Sequence, residues 1–267
     1  MLIDTTVHLP VSLAMLDGVF HQPTASDLAH VAVRWLHFVG GITWIGLLYF
    51  FNLVNVPLQK GLDADTKKKV NPVLLLPALW YFRWGAVITV LAGLTYYAMF
   101  ILGSDVNNAN LVPGVHLNVW LLLLAWLTYP IVLFIVEFLI IKKVPALIKD
   151  GRVFAIVMFI LVAVVTFGLL KFFPAMMTVS GTNYASNKTL SIGVGGAYGI
   201  LMLLNVWGII WPANKRIIGG LQGGPPAAPE LARQAFIASR TNAWLSLPML
   251  LFMATSSHDW LIFSGGK

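Results

Sequence analysis

Six stretches of the chain are rich in apolar residues and long enough to form helices that cross a membrane. A helix needs about 20 residues to cross the roughly 30 Å hydrocarbon layer. Charged residues lie almost entirely between these stretches. The pattern predicts an all-α fold, a polytopic membrane helix bundle with about six transmembrane helices, at residues 28–56, 77–102, 117–141, 153–177, 190–212 and 241–262.

Proline residues stand close to several of these predicted limits. Pro57 follows the first span, Pro72 precedes the second and Pro212 closes the fifth. Proline has no backbone N–H, and its ring clashes with the preceding helical turn. We therefore expect helices to begin or end at these positions.

Lysine and arginine are concentrated in the connections that follow the first, third and fifth predicted spans. Basic loops of membrane proteins lie on the cytoplasmic side. This distribution predicts a multi-pass protein of the bacterial inner membrane with both termini in the periplasm. The predicted organisation is a periplasmic N-terminal segment at 1–27, a helix bundle at 28–263 with a flexible cytoplasmic connector at 213–234, and a tail at 264–267.

The composition narrows the possible chemistry. The chain is 58% hydrophobic and 10% charged, with a net charge of +7. Because the basic residues lie in alternate loops, this charge indicates orientation in a lipid bilayer and not nucleic-acid binding. The chain contains no cysteine, which excludes disulfides, iron–sulfur clusters and the covalent attachment of a c-type haem. Histidine is then the best candidate metal ligand.

The first predicted span carries polar residues at helical spacing. His30, Arg34, His37, Gly41 and Trp44 follow one another at steps of four and three residues, so they share one face of a helix. Ionisable residues within a span face the bundle interior or a cofactor, because lipid offers them no hydrogen-bond partner. We predict that this face forms a functional site.

All six histidines fall on the predicted periplasmic side, on or beside three different helices. This distribution suits a haem b held by two histidines from different helices. We predict His37 and His258 as the axial metal ligands, Arg34 as the partner of a haem propionate, and His30 and His116 as reserve ligands. We expect one haem, with a second as an alternative; simple hydrogen bonding near the interface is the other interpretation of His30 and His116.

The predicted cytoplasmic half contains a second set of polar residues. Arg83 in the second span and Glu137 in the third have opposite charge and similar predicted depth. We interpret them as a structural ion pair. Few other carboxylates lie within the spans, which argues against a proton-coupled carrier.

Three regions together resemble the membrane domain of the bacterial cytochrome c-linked urate oxidase (urate hydroxylase) family. They are residues 34–46, 205–212 and 240–258. The resemblance implies a membrane oxidoreductase that passes electrons to a periplasmic cytochrome c, with matching positions at His37, Asn205, Arg240, Asn242 and His258. The family domain has eight spans and a fused cytochrome c, whereas this sequence has fewer predicted spans and no haem-attachment motif, so a separate cytochrome c or other complex subunits are the expected partners.

These observations leave three functional hypotheses. The first is a haem b-binding oxidoreductase subunit that transfers electrons near the periplasmic face to a cytochrome c-type acceptor. The second is urate oxidation itself, which rests on the resemblance, since no residue set identifies a urate site or its catalytic residues. The third is a non-redox structural or anchor subunit of a larger membrane complex, because Gly195, Gly196 and Gly199 would allow close helix packing.

Overall fold

The computed structural model describes residues 23–257, 262 and 263, and these form an all-α helix bundle with one very short hairpin. In chain order the elements are α1 (Ala25–Tyr49), π1 (Phe50–Asn55), α2 (Val56–Gly61), α3 (Ala64–Tyr96), π2 (Tyr97–Leu102), α4 (Gly103–Ala109), α5 (Val119–Lys143), α6 (Pro145–Lys149), α7 (Gly151–Met177), β1 (Thr178–Val179), β2 (Thr182–Asn183), α8 (Asn187–Asn205), π3 (Val206–Ile210), α9 (Trp211–Leu221) and α10 (Pro229–Thr255). The elements named π are helical turns of the wider π type. The predicted fold class is confirmed.

Five continuous helical segments within the described residues are long and apolar enough to cross a membrane: Ala25–Gly61, Ala64–Ala109, Val119–Lys143, Gly151–Met177 and Asn187–Leu221. The sixth long helix, α10, has 27 residues and carries charged residues in its first half. It packs against α8 and α1. The structure thus supports a multi-pass membrane protein, while the orientation of its termini stays a prediction.

Hydrogen-bonding side chains begin several of the long helices. The Thr24 hydroxyl accepts from the Asp27 amide, and the Asp27 carboxylate accepts from Thr24 in return. Asp63 accepts from the amides of Asp65 and Thr66, and the hydrogen bonds from Thr66 lower the pKa of Asp63. Asn118 caps α5 in the same way. Such caps satisfy amides that have no partner in the first helical turn.

The expectation that prolines end the helices is wrong. Pro57 and Pro212 lie inside continuous helical segments, each two residues after the end of a π-helical turn, while Pro72 lies within α3. A wider turn changes which carbonyl lies below the proline ring, so the clash that breaks an ordinary α-helix is relieved. The first and fifth spans are therefore longer than predicted. The second span is also longer, because α3 continues through Pro72 and Pro77 without a π-helical turn before them.

The predicted connector at 213–234 is also largely helical. Helix α9 continues to Leu221 and α10 begins at Pro229, which leaves only residues 222–228 outside helices. Glycine and proline are concentrated in this short segment. The composition correctly indicated a connection in this region. The predicted limits of the connector were too wide because α10 begins well before its apolar part.

Helices α1 and α3 approach each other closely at two glycines. A Cβ atom on Gly40 would lie 2.9 Å from the Thr89 backbone nitrogen and 3.2 Å from the Gly85 carbonyl oxygen. The Thr89 hydroxyl donates to the His37 carbonyl at 2.8 Å, directly between the helices. Small residues permit this backbone approach in membranes. The close approach of the two helices places the polar face of α1 against α3.

Candidate functional site

A cavity of about 550 Å³ lies between α1, α3, α8 and α10. Its polar residues include Arg34, His37 and Thr89, while aromatic side chains such as Tyr97 and Trp126 form other parts of its wall. Ligand-binding cavities commonly have volumes of roughly 300–1,000 Å³, apolar walls and a few polar groups. The cavity is therefore of a suitable size and character for a small ligand or cofactor.

The His37 imidazole is held in one orientation at this cavity. Its Nδ1 lies 2.7 Å from the Thr89 carbonyl oxygen. Because a carbonyl oxygen only accepts hydrogen bonds, Nδ1 carries the proton and donates it, which leaves the lone pair of Nε2 free in the neutral ring. Histidines that bind metals are usually oriented by such a bond from their other nitrogen.

Gly93 provides the space that the His37 ring occupies. It lies one helical turn after Thr89 on α3. A Cβ atom at Gly93 would lie 2.8 Å from both Cε1 and Nδ1 of His37. The Thr89 carbonyl on one turn of α3 thus orients the ring, and Gly93 on the next turn leaves the space in which the ring lies.

Arg34 lies one turn before His37 and also lines the cavity. Its guanidinium stands 5.8 Å from the centre of the Phe38 ring. In the part of the chain that the structure describes, the one ion pair is Lys68–Asp65, so Arg34 has no carboxylate partner there. A ligand with a negative group near this end of the cavity would complement it.

Gly41 and Trp44 complete the predicted face on α1. Both line the cavity, and Trp44 is 2% exposed. The indole Nε1 of Trp44 is buried and has no hydrogen-bond partner. The structure therefore brings together Arg34, His37, Gly41 and Trp44 from the predicted set.

The other predicted histidines are placed differently. The Nε2 of His30 lies 2.7 Å from the Tyr96 hydroxyl, and its ring stacks on Phe100 with centroids 4.3 Å apart. His116 is exposed, and neither His30 nor His116 lines the cavity. The structure therefore does not bring His30 or His116 together with His37, and their assignment as reserve ligands stays a prediction. His258 lies outside the described residues.

Several cavity residues were not identified from the sequence. Thr89 and Gly93 form one wall, and Met249 and Met253 of α10 form another. Each pair is separated by four residues, which indicates a shared helix face. This spacing alone does not show which other helix the face contacts. The sequence pattern therefore identifies these residues as cavity residues only when the packing of the helices is known.

The predicted ion pair between Arg83 and Glu137 is wrong. The Glu137 Oε2 accepts from the Asn205 amide at 3.0 Å. The Arg83 guanidinium instead lies 3.8 Å over the Trp211 ring, and Arg83 Nε is buried without a partner. Similar depth did not bring the two charges together, because an amide from α8 occupies the position beside the carboxylate.

The family model described as Urate oxidase N-terminal matches residues 61–266. The chain belongs to this family. No curated protein and no solved structure matches the chain. The match agrees with the resemblance found in the motifs, and the urate oxidase N-terminal region includes the cavity residues Thr89, Gly93 and Met249. Arg34 and His37 precede the matched residues, so their assignment rests on the cavity geometry.

Proposed function

We propose that this member of the urate oxidase N-terminal family is a haem b-binding subunit of a membrane oxidoreductase. In this proposal it passes electrons near the periplasmic face to a cytochrome c-type acceptor. The observation that carries the proposal is the His37 imidazole, which lines a cavity of about 550 Å³ and donates through Nδ1 to Thr89, so that its Nε2 is unprotonated and able to bind a metal. That is the arrangement expected of a histidine that ligates a metal.

The residues around the cavity fit a haem. Trp44, Tyr97 and Trp126 supply flat apolar walls, and Gly41 and Gly196 also line the cavity. The cavity reaches Ser257, the residue before the predicted second ligand, His258. Met249 and Met253 also line it, and a methionine sulfur is another common axial ligand.

Each polar residue then has a distinct task. His37 would ligate the iron, Thr89 would fix the tautomer and orientation of the imidazole, and Arg34 would bind a propionate. The apolar walls would exclude water from the ring. A bound haem b would supply one-electron transfer, and the protein would set its position and surroundings.

The direct test is the haem content of the purified protein. We expect about one haem b per chain in the pyridine haemochrome assay, because one cavity carries one oriented imidazole. The reduced spectrum should show a b-type α band. A preparation made with ample haem, and then incubated with added haemin, that still contains none would contradict the proposal and favour a non-redox anchor subunit.

Urate oxidation is the second candidate, and the family match is the observation that favours it. Urate is a planar anion, so a cavity with aromatic walls and an unpaired guanidinium suits its shape and charge. We expect membranes that contain the protein to reduce added cytochrome c in a urate-dependent way. Membranes from cells without the gene provide the baseline, and an equal rate in both with a competent acceptor would remove this candidate.

A further inference from the structure

A second polar centre lies in the bundle interior, apart from the cavity. It consists of Glu137 on α5, Asn205 at the end of α8 and Asn242 on α10, each 0% exposed. Asn205 Nδ2 donates to Glu137 Oε2 and to Asn242 Oδ1, both at 3.0 Å. Asn242 Nδ2 donates to the Met202 carbonyl at 2.9 Å. The three side chains therefore join three long helices.

Counting hydrogen atoms shows a shortage of donors at this centre. Both amide hydrogens of Asn205 are used, one on each partner. Two oxygens remain buried without any partner, Oε1 of Glu137 and Oδ1 of Asn205. Both are acceptors when the carboxyl group is ionised. Two orphan acceptors in a fully buried site would each carry a desolvation cost.

One additional hydrogen atom satisfies both oxygens. The Glu137 carboxyl and the Asn205 amide are planar groups already joined through Oε2 and Nδ2, and the two orphans are the second heteroatoms of these same groups. We propose that Glu137 is a proton-binding site, held as a neutral carboxylic acid whose hydroxyl donates to Asn205 Oδ1. The product is an acid–amide pair that links α5 to α8 and, through Asn242, to α10.

No basic side chain compensates a charge on Glu137 in the described residues. Arg83 stacks over Trp211, Lys142 donates to Gln234 at 2.6 Å, and Arg240 lies 5.3 Å from the centre of the Phe236 ring. The lone ion pair of the described chain lies elsewhere, between Lys68 and Asp65. An isolated buried carboxylate is so costly that it takes up a proton instead.

A bound metal cation fits this centre less well than a proton does. Neither the cavity at His37 nor the one at residues 216–231 is lined by Glu137, Asn205 or Asn242. A cation would need several oxygen ligands and space of its own. A proton needs neither, and it converts one orphan acceptor into the donor that the other lacks.

The test compares Glu137→Gln with Glu137→Ala. The glutamine amide can donate to Asn205 as the acid does, so we expect E137Q to fold with a Tm close to that of the unmodified protein. E137A removes both hydrogen bonds between Asn205 and residue 137, the one that Asn205 donates and the one that it accepts. The Tm of E137A should therefore fall by about 5 °C or more. Failure of E137Q to fold, or an equally large loss of Tm in both variants, would overturn the proposal.

Infrared spectroscopy in D₂O gives an independent readout. The unmodified protein should show a carbonyl band of a protonated carboxyl at neutral pH that is absent in E137Q and retained in the matched control Glu230→Gln, at the exposed start of α10. An unchanged band in E137Q contradicts the proposal. So does a Tm of the unmodified protein that differs between sodium, potassium and choline chloride, since that result would indicate a bound cation. Neither measurement depends on haem.

Discussion

Replacing His37 by alanine is expected to abolish haem b binding while the helix bundle still forms. His37 is the one histidine that lines the cavity within the described residues, and its ring is already oriented by Thr89. Alanine removes the nitrogen ligand but leaves the apolar walls intact. We expect haem per chain to fall at least about tenfold, the lower end of the losses that follow when a metal site loses even a supporting group.

Two other histidines provide controls for this measurement. His116→Ala removes an exposed imidazole, and His30→Ala removes the partner of the Tyr96 hydroxyl. Both variants should keep a haem content near that of the unmodified protein, measured by the same haemochrome assay and normalised to helical circular dichroism. If H37A retains its haem and H30A loses it, the assignment of the ligand is wrong. His258→Ala separately tests the predicted second ligand.

The sequence predicted well which residues of α1 share one face, because a shared face depends only on helical periodicity. Steps of three and four residues determine which side chains share a face, whatever the helix later packs against. Arg34, His37, Gly41 and Trp44 accordingly line one cavity. His30 has the same periodicity but lies nearer the start of the helix, where it contacts Tyr96 and Phe100.

Helix limits were predicted less well, because proline was assumed to end a helix. The rule describes the ideal α-helix, in which the carbonyl four residues earlier meets the ring. Pro57 and Pro212 follow π-helical turns, where that relation is changed. Nothing in the hydrophobic pattern distinguishes an α-turn from a π-turn. The predicted helices were therefore ended near these prolines, although the helical segments continue past them.

Contacts between helices were the least predictable part. Charge and depth suggested that Arg83 would pair with Glu137, yet the direction of each side chain depends on helix rotation. In the structure the Glu137 carboxyl group accepts a hydrogen bond from Asn205, and the Arg83 guanidinium lies over the Trp211 ring. In the same way, Thr89 became visible as the partner of His37 only when α1 and α3 were brought together.

Gly93→Ala is expected to weaken haem binding strongly without removing any ligand. The new Cβ atom would lie 2.8 Å from two atoms of the His37 ring, which is far inside van der Waals contact. Either the ring moves away from Thr89, or α1 and α3 separate. Both changes disturb the 2.7 Å hydrogen bond that orients Nε2. Loss of an orienting bond typically costs roughly 10–100-fold in metal affinity, and haemin titration of the apoprotein measures it.

Gly46→Ala is the matched control, because it makes the same substitution on α1 where the new Cβ would have no atom within 4 Å apart from the neighbouring residues and nearby backbone of its own helix. Alanine also favours a helix over glycine by about 1 kcal/mol. Intrinsic propensity therefore predicts a slight gain in Tm for both variants, and only the contact with His37 predicts a difference between them. If G93A binds haemin as tightly as G46A, the orientation of His37 by α3 does not determine the affinity, and the ligand geometry proposed for this cavity is wrong.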